Sequence, residues 1–329
     1  MGGGGGGDEC ESNNNYRRHL GESKMSLKIA MRNSMQRFLI ALITLLQPVL
    51  NMKIMLFSRF MAGGDSSFVI KKGRLSQCIF VLHSMDTAVA RRIFIGMDDE
   101  HFKAIKAIRW VKELRREGGV SNLLDIGANL GHICIPLVKQ GYVKYAVGYE
   151  PDPVNFQLLK CNIILNDLED RISIHNLALG TLPDETLELE LSIDNFGDHR
   201  IKVSSDDGQY KESLRNVLRV RSTNLDAVVS KDSDLARLLI WMDVQGYEGS
   251  VLVGATSLLK QKPAIGLEFW PYGLYRADNF KNLMRCLESY GVFYDLSAEE
   301  PDAQPLSKLE IFYNENIQND APMMDILVV

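Results

Sequence analysis

The sequence predicts an α/β fold organised around a mostly parallel sheet, and three observations support this. Residues 123–131 form a short apolar run containing Asp125, followed by two glycines four positions apart. This order is typical of a strand, a tight turn and a helix at a nucleotide-type site. A second strand-like run, residues 146–150, ends in Glu150, nineteen residues after the second of those glycines. From residue 122 onward strand-like and helix-like segments alternate, as in parallel sheets flanked by helices.

The composition is that of one large globular domain with extensions. The chain has 329 residues, of which 24% are charged and 46% apolar, and its net charge is −5. Because nucleic-acid binding needs a broad basic surface, we expect no nucleic-acid partner. The five cysteines are scattered and include no C-x-x-C pair. This usage argues against a disulfide framework or a zinc cluster, so we expect no metal site and a cytoplasmic location.

The first 120 residues are predicted to form extensions of the fold. Residues 1–24 begin with six glycines and have almost nothing to bury, which predicts a disordered low-complexity leader. Residues 25–62 predict an apolar helical segment. Its apolar run, 38–57, is interrupted and its unbroken part is short of the ~20 residues of a membrane span. A membrane-associated anchor, a buried helix and a mis-assigned start all remain open. Residues 63–120 are predicted as a cap region, with an amphipathic helix over 98–117.

Residues 121–329 are predicted to form the main domain. After the glycine turn we expect a helix over 152–166 and a third strand over 171–175. Two segments of alternating polar and apolar residues, 187–191 and 217–221, then predict an antiparallel β insertion. The remaining predicted elements are a core strand over 238–242, a helix that runs to about residue 260, a strand over 264–270, a helix over 279–290, and final strands over 293–296, 309–313 and 325–329.

Asp125 indicates which ligand the glycine turn holds. A dinucleotide site offers bare backbone N–H groups to a pyrophosphate, and a carboxylate just before the glycines would repel that anion. S-adenosylmethionine (AdoMet) instead carries an ammonium beside a sulfonium, which an acid attracts. The sequence therefore predicts an AdoMet site, with a nicotinamide site as the weaker alternative. The residues expected to hold the methionine part of AdoMet are Asp125, Gly127, Ala128, Asn129 and Gly131.

Three further residues are expected to contact the rest of the cofactor. Glu150 can accept both hydroxyls of a ribose. Asn176 and Ala178 follow the third strand, where a sheet of this kind holds an adenine. The alternatives are a tight turn with a capping acid for the first motif and an ordinary strand-end turn for residues 176–180.

Four segments, taken in order, resemble the FkbM family of AdoMet-dependent methyltransferases. The segments are residues 124–131, 149–153, 176–180 and 242–248, and the resemblance spans roughly residues 86–329. It implies a Rossmann-like class I methyltransferase fold with a seven-stranded sheet and a C-terminal antiparallel strand. It also implies methyl transfer to hydroxyls of sugars, glycans and natural products. Gln245 departs from the glutamate that is usual in similar sequences, so a role that needs a negative charge there is in doubt.

The candidate catalytic residues are Asp243, Glu248 and His199. Asp243 and Glu248 lie on either side of Gly246 after a core strand, where they could orient a hydroxyl, act as a base or share a hard cation. They could equally organise the turn and the helix start. His199 lies in a glycine-containing turn and could accept a proton near neutral pH, or be a solvated turn histidine.

Two other side chains are assigned by position. His132 is expected in the first turn of a helix rather than as a metal ligand. Glu268 is expected either to line the acceptor pocket with Trp270 or to be part of buried strand packing.

The sequence thus predicts an AdoMet-dependent methyltransferase with a small-molecule or glycan acceptor. Three alternatives stay open: an N-methyltransferase, a cofactor-binding module without turnover that residues 38–57 attach to a membrane, and, last, a nicotinamide oxidoreductase. The sequence predicts no oligomeric state.

Overall fold

A computed structural model describes most of the chain after residue 67. The described residues are 49, 52–55, 57, 68–115, 119–204, 207–229, 235–318 and 322–329. The chain divides into two compact units, residues 1–58 and 59–329. In the first unit the described residues are helical, and the predicted leader, 1–24, lies outside the described residues. None of the helices within the described ranges is long and apolar enough to cross a membrane.

The second unit contains the α/β fold. Its strands are β1 (Phe68–Lys72), β2 (Ile79–His83), β3 (Asn122–Ile126), β4 (Tyr145–Tyr149), β5 (Ile172–His175), β6 (Ala178–Leu179), β7 (Glu185–Leu191), β8 (Arg200–Ile201), β9 (Asn216–Thr223), β10 (Leu238–Met242), β11 (Ala264–Phe269), β12 (Val292–Asp295), β13 (Ala303–Pro305) and β14 (Met324–Val328). Its helices are α1 (Val89–Ile95), α2 (His101–Arg115), α3 (Cys134–Lys139), α4 (Pro153–Leu165), α5 (Leu225–Val228), α6 (Glu248–Val253), α7 (Thr256–Leu259), α8 (Pro271–Arg276), α9 (Phe280–Leu287) and α10 (Ser307–Asn316).

The main sheet has the strand order β13-β12-β14-β11-β10-β3-β4-β5. Strands β3, β4, β5, β10 and β11 are parallel, and β14 pairs antiparallel with β11 and β12. The sheet has eight strands rather than the predicted seven, because the three-residue strand β13 extends the edge beyond β12. All five residues of β10 are buried, as expected of a parallel strand covered by helices on both faces.

The predicted β insertion forms a separate four-stranded sheet in the order β6-β9-β7-β8. Strands β7 and β9 pair antiparallel over seven residue pairs, from Glu185↔Ser222 to Leu191↔Asn216. This confirms the period-two pattern of residues 187–191 and 217–221. Strand β6 joins the insertion to the end of β5, so the insertion begins at the carboxyl edge of the main sheet.

Two predicted elements are wrong. Residues 309–313 are not a strand but part of α10, in which Leu309 is fully buried and Phe312 and Tyr313 pack on the same core while Ile311 is exposed. Positions 309, 312 and 313 share one face of a helix, so the spacing of three and four residues between these apolar side chains favours a helix over a strand. The single helix expected up to about residue 260 is divided into α6 and α7, and a Cβ at Gly254 would lie 2.2 Å from the carbonyl oxygen of Gly180.

Candidate functional site

A cavity of about 240 Å³ lies at the carboxyl edge of the main sheet, where strands β3, β4 and β10 end. This edge is where open α/β sheets bind their ligands. Most predicted site residues line it: Asp125, Gly127, Asn129, Glu150, Ala178, His199 and Asp243. Four others do not, namely Ala128, Gly131, Asn176 and Glu248. The structure therefore brings the predicted cofactor and acceptor residues to one cavity, with the exceptions explained below.

The glycine turn after β3 packs on neighbouring backbone. Gly127 has φ of +85°, and a Cβ there would lie 1.9 Å from the carbonyl oxygen of Asp243. The backbone N–H groups of Gly127 and Ala128 both donate to the carbonyl of Tyr149, at 3.0 Å. At Gly131 a Cβ would meet the side chains of α3 and α4. Gly131 and Ala128 thus shape the turn without lining the cavity.

Asp125 is 1% exposed and lies near the end of β3. Its Oδ2 accepts a hydrogen bond from the backbone N–H of Cys134 at 3.2 Å. Burial raises the pKa of this carboxyl to about 6. Because a buried carboxylate is costly without a counter-charge, Asp125 is suited to bind a cation.

Glu150 follows β4 and is held in place by backbone. One of its oxygens accepts from the N–H of Asn129 and the other from the N–H of Asp152, both at 2.8 Å. Burial raises the pKa of Glu150 to about 8. In the ionised form each carboxylate oxygen has a second lone pair, so an ionised Glu150 can still accept hydrogen bonds from two hydroxyl groups.

Beyond Glu150 the cavity wall becomes apolar. Leu177, Ala178, Leu179 and Tyr149 line this part, which suits a flat ring. Asn176 lies outside it: its exposed side chain donates from Nδ2 to the carbonyls of Glu150 and Pro151, at 2.8 and 3.0 Å. Asn176 therefore braces the end of β4.

A turn of the β insertion, residues 194–199, closes the cavity beside Asn129. The carbonyl of Phe196 accepts from Asn129 Nδ2 at 3.3 Å and from Asn155 Nδ2 at 2.9 Å. Asn155 also lines the cavity, and its buried Oδ1 has no hydrogen-bond partner among the described residues. Asn155 was not predicted as a site residue from the sequence, although its position three residues after Asp152 places it at the start of α4. Asp152 caps that helix, as its side chain accepts from the N–H of Asn155.

His199 lies on the cavity wall with its ring nitrogens engaged by neighbours. Its Nδ1 accepts from the backbone N–H of Ser192 at 3.0 Å, so in the neutral ring the proton is on Nε2. Nε2 lies 4.0 Å from Asp152 Oδ2, and burial lowers the pKa of His199.

The turn that carries His199 is fixed by ionic contacts on either side of this residue. Asp198 accepts from Arg200 Nη2 at 2.7 Å and from Arg215 Nη2 at 2.5 Å, and all three side chains are buried.

Two acids and an amide form an acidic wall of the cavity beside the glycine turn. Gln245 Nε2 donates to Asp243 Oδ1 at 2.6 Å and to Glu268 Oε2 at 3.0 Å. Burial raises the pKa of Asp243 to about 6, and burial together with neighbouring acids, Asp243 first, raises that of Glu268 well above its usual range. The amide of Gln245 bridges two carboxyl groups here, whereas a glutamate would have added a third acid.

Glu248 points away from the cavity. It is 1% exposed, and its Oε1 accepts from the backbone N–H groups of Val244 and Gly246, both at 3.2 Å. Burial raises its pKa to about 7. Glu248 therefore organises the turn that presents Asp243. Trp270 is buried and lies outside the cavity lining, whereas Glu268 is part of it.

His132 and Glu100 are cavity residues whose role the sequence analysis missed. The expected position of His132 in the first helical turn is wrong, because α3 begins at Cys134 and His132 lies in the turn before it. His132 Nε2 lies 2.9 Å from Glu100 Oε2. The position of His132 directly after the glycine turn was its only signal in the sequence, and no pattern pointed to Glu100.

The residues present fit AdoMet. Asp125 offers an acid for an ammonium, Glu150 offers acceptors for ribose hydroxyls, and the wall around Ala178 suits an adenine. The buried Oδ1 of Asn155, which has no hydrogen-bond partner among the described residues, can accept a hydrogen bond from the cofactor. In the part of the chain that the structure describes, no three acidic, histidine or cysteine side chains are grouped so as to hold a metal ion.

Comparison with known proteins identifies a curated relative that matches a short segment of this chain. A curated relative from Pyrococcus horikoshii, tRNA(Phe) (4-demethylwyosine(37)-C(7)) aminocarboxypropyltransferase, is 35% identical over 65 residues, which are 20% of this chain and 23% of the relative. The chain thus spans less than a quarter of that protein.

Solved structures also match the chain at low identity. The methyltransferase FkbM from Methylobacillus flagellatus is 16% identical with a TM-score of 0.35, over 62% of this chain and 49% of that one. M. jannaschii TYW2, crystallised with AdoMet, is 13% identical with a TM-score of 0.38, over 80% of this chain and 85% of that one.

The methyltransferase FkbM domain model matches residues 125–294, which are more than half of the chain. This range begins at Asp125 and includes the glycine turn, the β insertion and the turn that holds Asp243. The chain therefore belongs to the FkbM family of methyltransferases, with a class I methyltransferase fold and AdoMet as its cofactor.

Proposed function

We propose that this protein transfers the methyl group of AdoMet to a hydroxyl group of a sugar, glycan or natural product, with Asp243 as the general base. The observation that carries the proposal is the position of Asp243, an acid of pKa about 6, on the wall of the cavity that also holds Asp125 and Glu150. An amine acceptor would arrive with its own lone pair, whereas a hydroxyl needs a base to take its proton.

The binding residues divide the cofactor between them. Bound AdoMet supplies an electrophilic methyl group on a sulfonium. Asp125 binds the ammonium of the methionyl part, and Glu150 accepts the ribose hydroxyls while backbone N–H groups hold its carboxylate still. Asn129, whose side chain donates to Phe196, keeps the turn of the insertion over the cavity and so excludes water. Such positioning in a dry pocket is worth up to about 7–11 kcal/mol in model systems.

Asp243 is arranged to accept a proton. Gln245 donates to Oδ1, which leaves Oδ2 free to face the acceptor hydroxyl. A pKa of about 6 keeps the carboxylate ionised at neutral pH and makes it more basic than an ordinary aspartate. Glu268 lies beside Asp243 on this wall, and burial with the neighbouring acids raises its pKa well above the usual range. His199 is the weaker candidate for the base, because Ser192 already occupies its Nδ1 lone pair.

The test is transfer of tritiated methyl from AdoMet to a panel of acceptors. We expect label in polyhydroxylated acceptors as alkali-stable ethers, and its loss with Asp243→Asn while cofactor binding by calorimetry is preserved. Label that appears only in amines would establish N-methylation instead. Cofactor binding with no product in any acceptor would support a cofactor-binding module without turnover. Binding of the protein to vesicles would then test whether that module attaches to a membrane.

A nucleic-acid acceptor is the second candidate, because the curated Pyrococcus relative is named for action on tRNA(Phe). Against it are the net charge of −5 and the acidic wall formed by Asp243 and Glu268, which would repel phosphates. We therefore keep two expectations as part of this proposal: the protein has no nucleic-acid partner, and it is located in the cytoplasm. The panel therefore includes tRNA, and label in tRNA above that in every small acceptor would overturn the proposed hydroxyl substrate.

A further inference from the structure

Two basic side chains flank one carboxylate at the edge of the cavity near the glycine turn. Glu100 Oε2 lies 2.9 Å from His132 Nε2, and Glu100 Oε1 lies 3.1 Å from Arg92 Nε. All three side chains line the cavity. Because both oxygens of Glu100 are engaged, this acid is not available as a base or ligand, and it fixes the orientation of the imidazole ring.

The other ring nitrogen of His132 has no partner. Nδ1 is buried and makes no hydrogen bond to any residue within the described ranges. The His132 side chain is 13% exposed, so water does not readily satisfy this atom. A buried polar atom without a partner in a ligand cavity indicates that the ligand supplies one.

The surroundings of His132 favour the doubly protonated ring. Burial opposes the charge, but the hydrogen bond and charge of Glu100, followed by the charges of Asp125 and Asp243, raise the pKa of His132 above its usual value. With Nε2 paired to Glu100, the charged form of the ring carries its second proton on Nδ1, which is then a donor. The missing partner is then an acceptor, and an anion suits an imidazolium best.

We propose that His132 binds the α-carboxylate of AdoMet through its Nδ1–H. The inference rests on the proposed placement of the methionyl ammonium at Asp125. The ammonium and the carboxylate of an amino acid share one carbon, so their two partners must be neighbours. Asp125 and His132 meet this condition, since they are close enough for each to shift the pKa of the other. Together they recognise a zwitterion, which an acid alone cannot do.

The ligand chemistry is a carboxylate, and an acidic acceptor could supply one as well as the cofactor. The experiment therefore omits any acceptor. Calorimetry with the full chain compares AdoMet with decarboxylated AdoMet, which keeps the ammonium, sulfonium and adenosine. We expect the protein to bind AdoMet about 10-fold more tightly than the decarboxylated form, and His132→Gln to abolish that preference by weakening AdoMet alone.

His132→Asn is the matched variant. The amide of glutamine reproduces the Nε2–H toward Glu100, whereas that of asparagine reproduces the Nδ1–H, so we expect His132→Asn to retain part of the preference. Should His132→Gln not fold, Glu100→Gln replaces it, because loss of the charge at Glu100 weakens the imidazolium and should lower the same preference.

Two results would overturn the inference. They are equal binding of the two ligands by the unmodified protein and an equal loss of affinity for both ligands in His132→Gln. Unmodified protein that binds neither ligand would instead refute the cofactor placement at Asp125.

Discussion

A Cβ on Gly127 would lie 1.9 Å from the carbonyl oxygen of Asp243. The two turns that carry the predicted cofactor and acceptor residues are therefore in direct backbone contact. The N–H of Asp243 also donates to the carbonyl of Ile126 at 3.0 Å, which extends the pairing of β3 and β10 into these turns. The glycine is required by a residue more than a hundred positions away, and it sets the distance between the two halves of the cavity.

Replacement of Gly127 by alanine should destabilise the protein by about 3 kcal/mol or more, because the new methyl group clashes with rigid backbone. Gly141→Ala is the matched control: Gly141 also has positive φ, +79°, but nothing lies within 4 Å of its Cβ position. That variant should lose only about 1–2 kcal/mol from left-handed strain. Urea unfolding measures both, and equal losses would show that the contact with Asp243 has no energetic weight.

Part of the site was predictable because its residues follow local sequence patterns. Asp125 and Glu150 each follow a short apolar run, and the parallel register of β3 and β4 brings their ends together. Such local patterns, together with the spacing of residues 176–180 and 243–248, were enough to predict the parallel sheet and the segments that meet at the cavity. They could not assign the eighth strand, because β13 is only three residues long and flanked by acidic sequence.

The rest depends on pairings between distant residues. Phe196 is held by side chains from two other elements, Asn129 and Asn155, and Glu100 meets His132 across thirty residues of sequence. No periodicity encodes such contacts. Asn176 and Glu248 illustrate the converse: their spacing is right, but hydrogen bonds to backbone turn their side chains away from the cavity.

Asp243→Asn should reduce the rate of methyl transfer by about 10²-fold or more, since a general base contributes about 10²–10⁴-fold. The amide oxygen can still accept from Gln245, so the turn keeps its shape and the affinity for AdoMet should change less than about 2-fold. Single-turnover rates and calorimetry on the same preparation separate the two effects. A rate within a factor of three of the unmodified enzyme would make Asp243 a structural residue.

His199→Asn should slow transfer by less than about 10-fold, well below the effect of Asp243→Asn. In the unmodified protein His199 Nδ1 accepts from the backbone N–H of Ser192 at 3.0 Å. The asparagine oxygen can accept the same hydrogen bond, so the turn should keep its shape. The rate is measured against pH in both variants. If His199→Asn removed the acid limb of the profile and Asp243→Asn did not, the base would be His199.

Gln245→Glu should shift the acid limb of the pH–rate profile upward by about one pH unit. The substitution removes the donor shared by Asp243 and Glu268 and adds a third acid, and a like charge raises the pKa of Asp243 further. Gln245→Met removes the donor without adding charge and should give a smaller shift. An unchanged profile in Gln245→Glu would show that residue 245 does not tune Asp243.

Four buried carboxyl groups give the protein an unusual dependence on pH. Burial raises the pKa values of Asp125 and Asp243 to about 6, of Glu248 to about 7 and of Glu150 to about 8. Glu100 behaves in the opposite way: burial raises its pKa, but His132 and Arg92 lower it to about 2. Burial lowers the pKa values of His83, His101 and His199 in the folded protein. In the unfolded chain these side chains still bind some proton just above pH 6.5, so each opposes the fall in stability by about 0.4 kcal/mol or less in this range.

Without cofactor, the free energy of unfolding should fall by about 2 kcal/mol or more between pH 6.5 and 8.5. In this window the folded protein holds protons on Glu150 and Glu248 that the unfolded chain, with ordinary glutamate pKa values, has already released, so rising pH favours unfolding. The raised pKa of His132 acts in the same direction. Urea unfolding at three pH values measures the slope, which Glu150→Gln should flatten by removing one of these protons. A free energy that is constant or rises with pH would mean that these carboxyl groups are already ionised in the folded protein, and the electrostatic account of the cavity would fail with them.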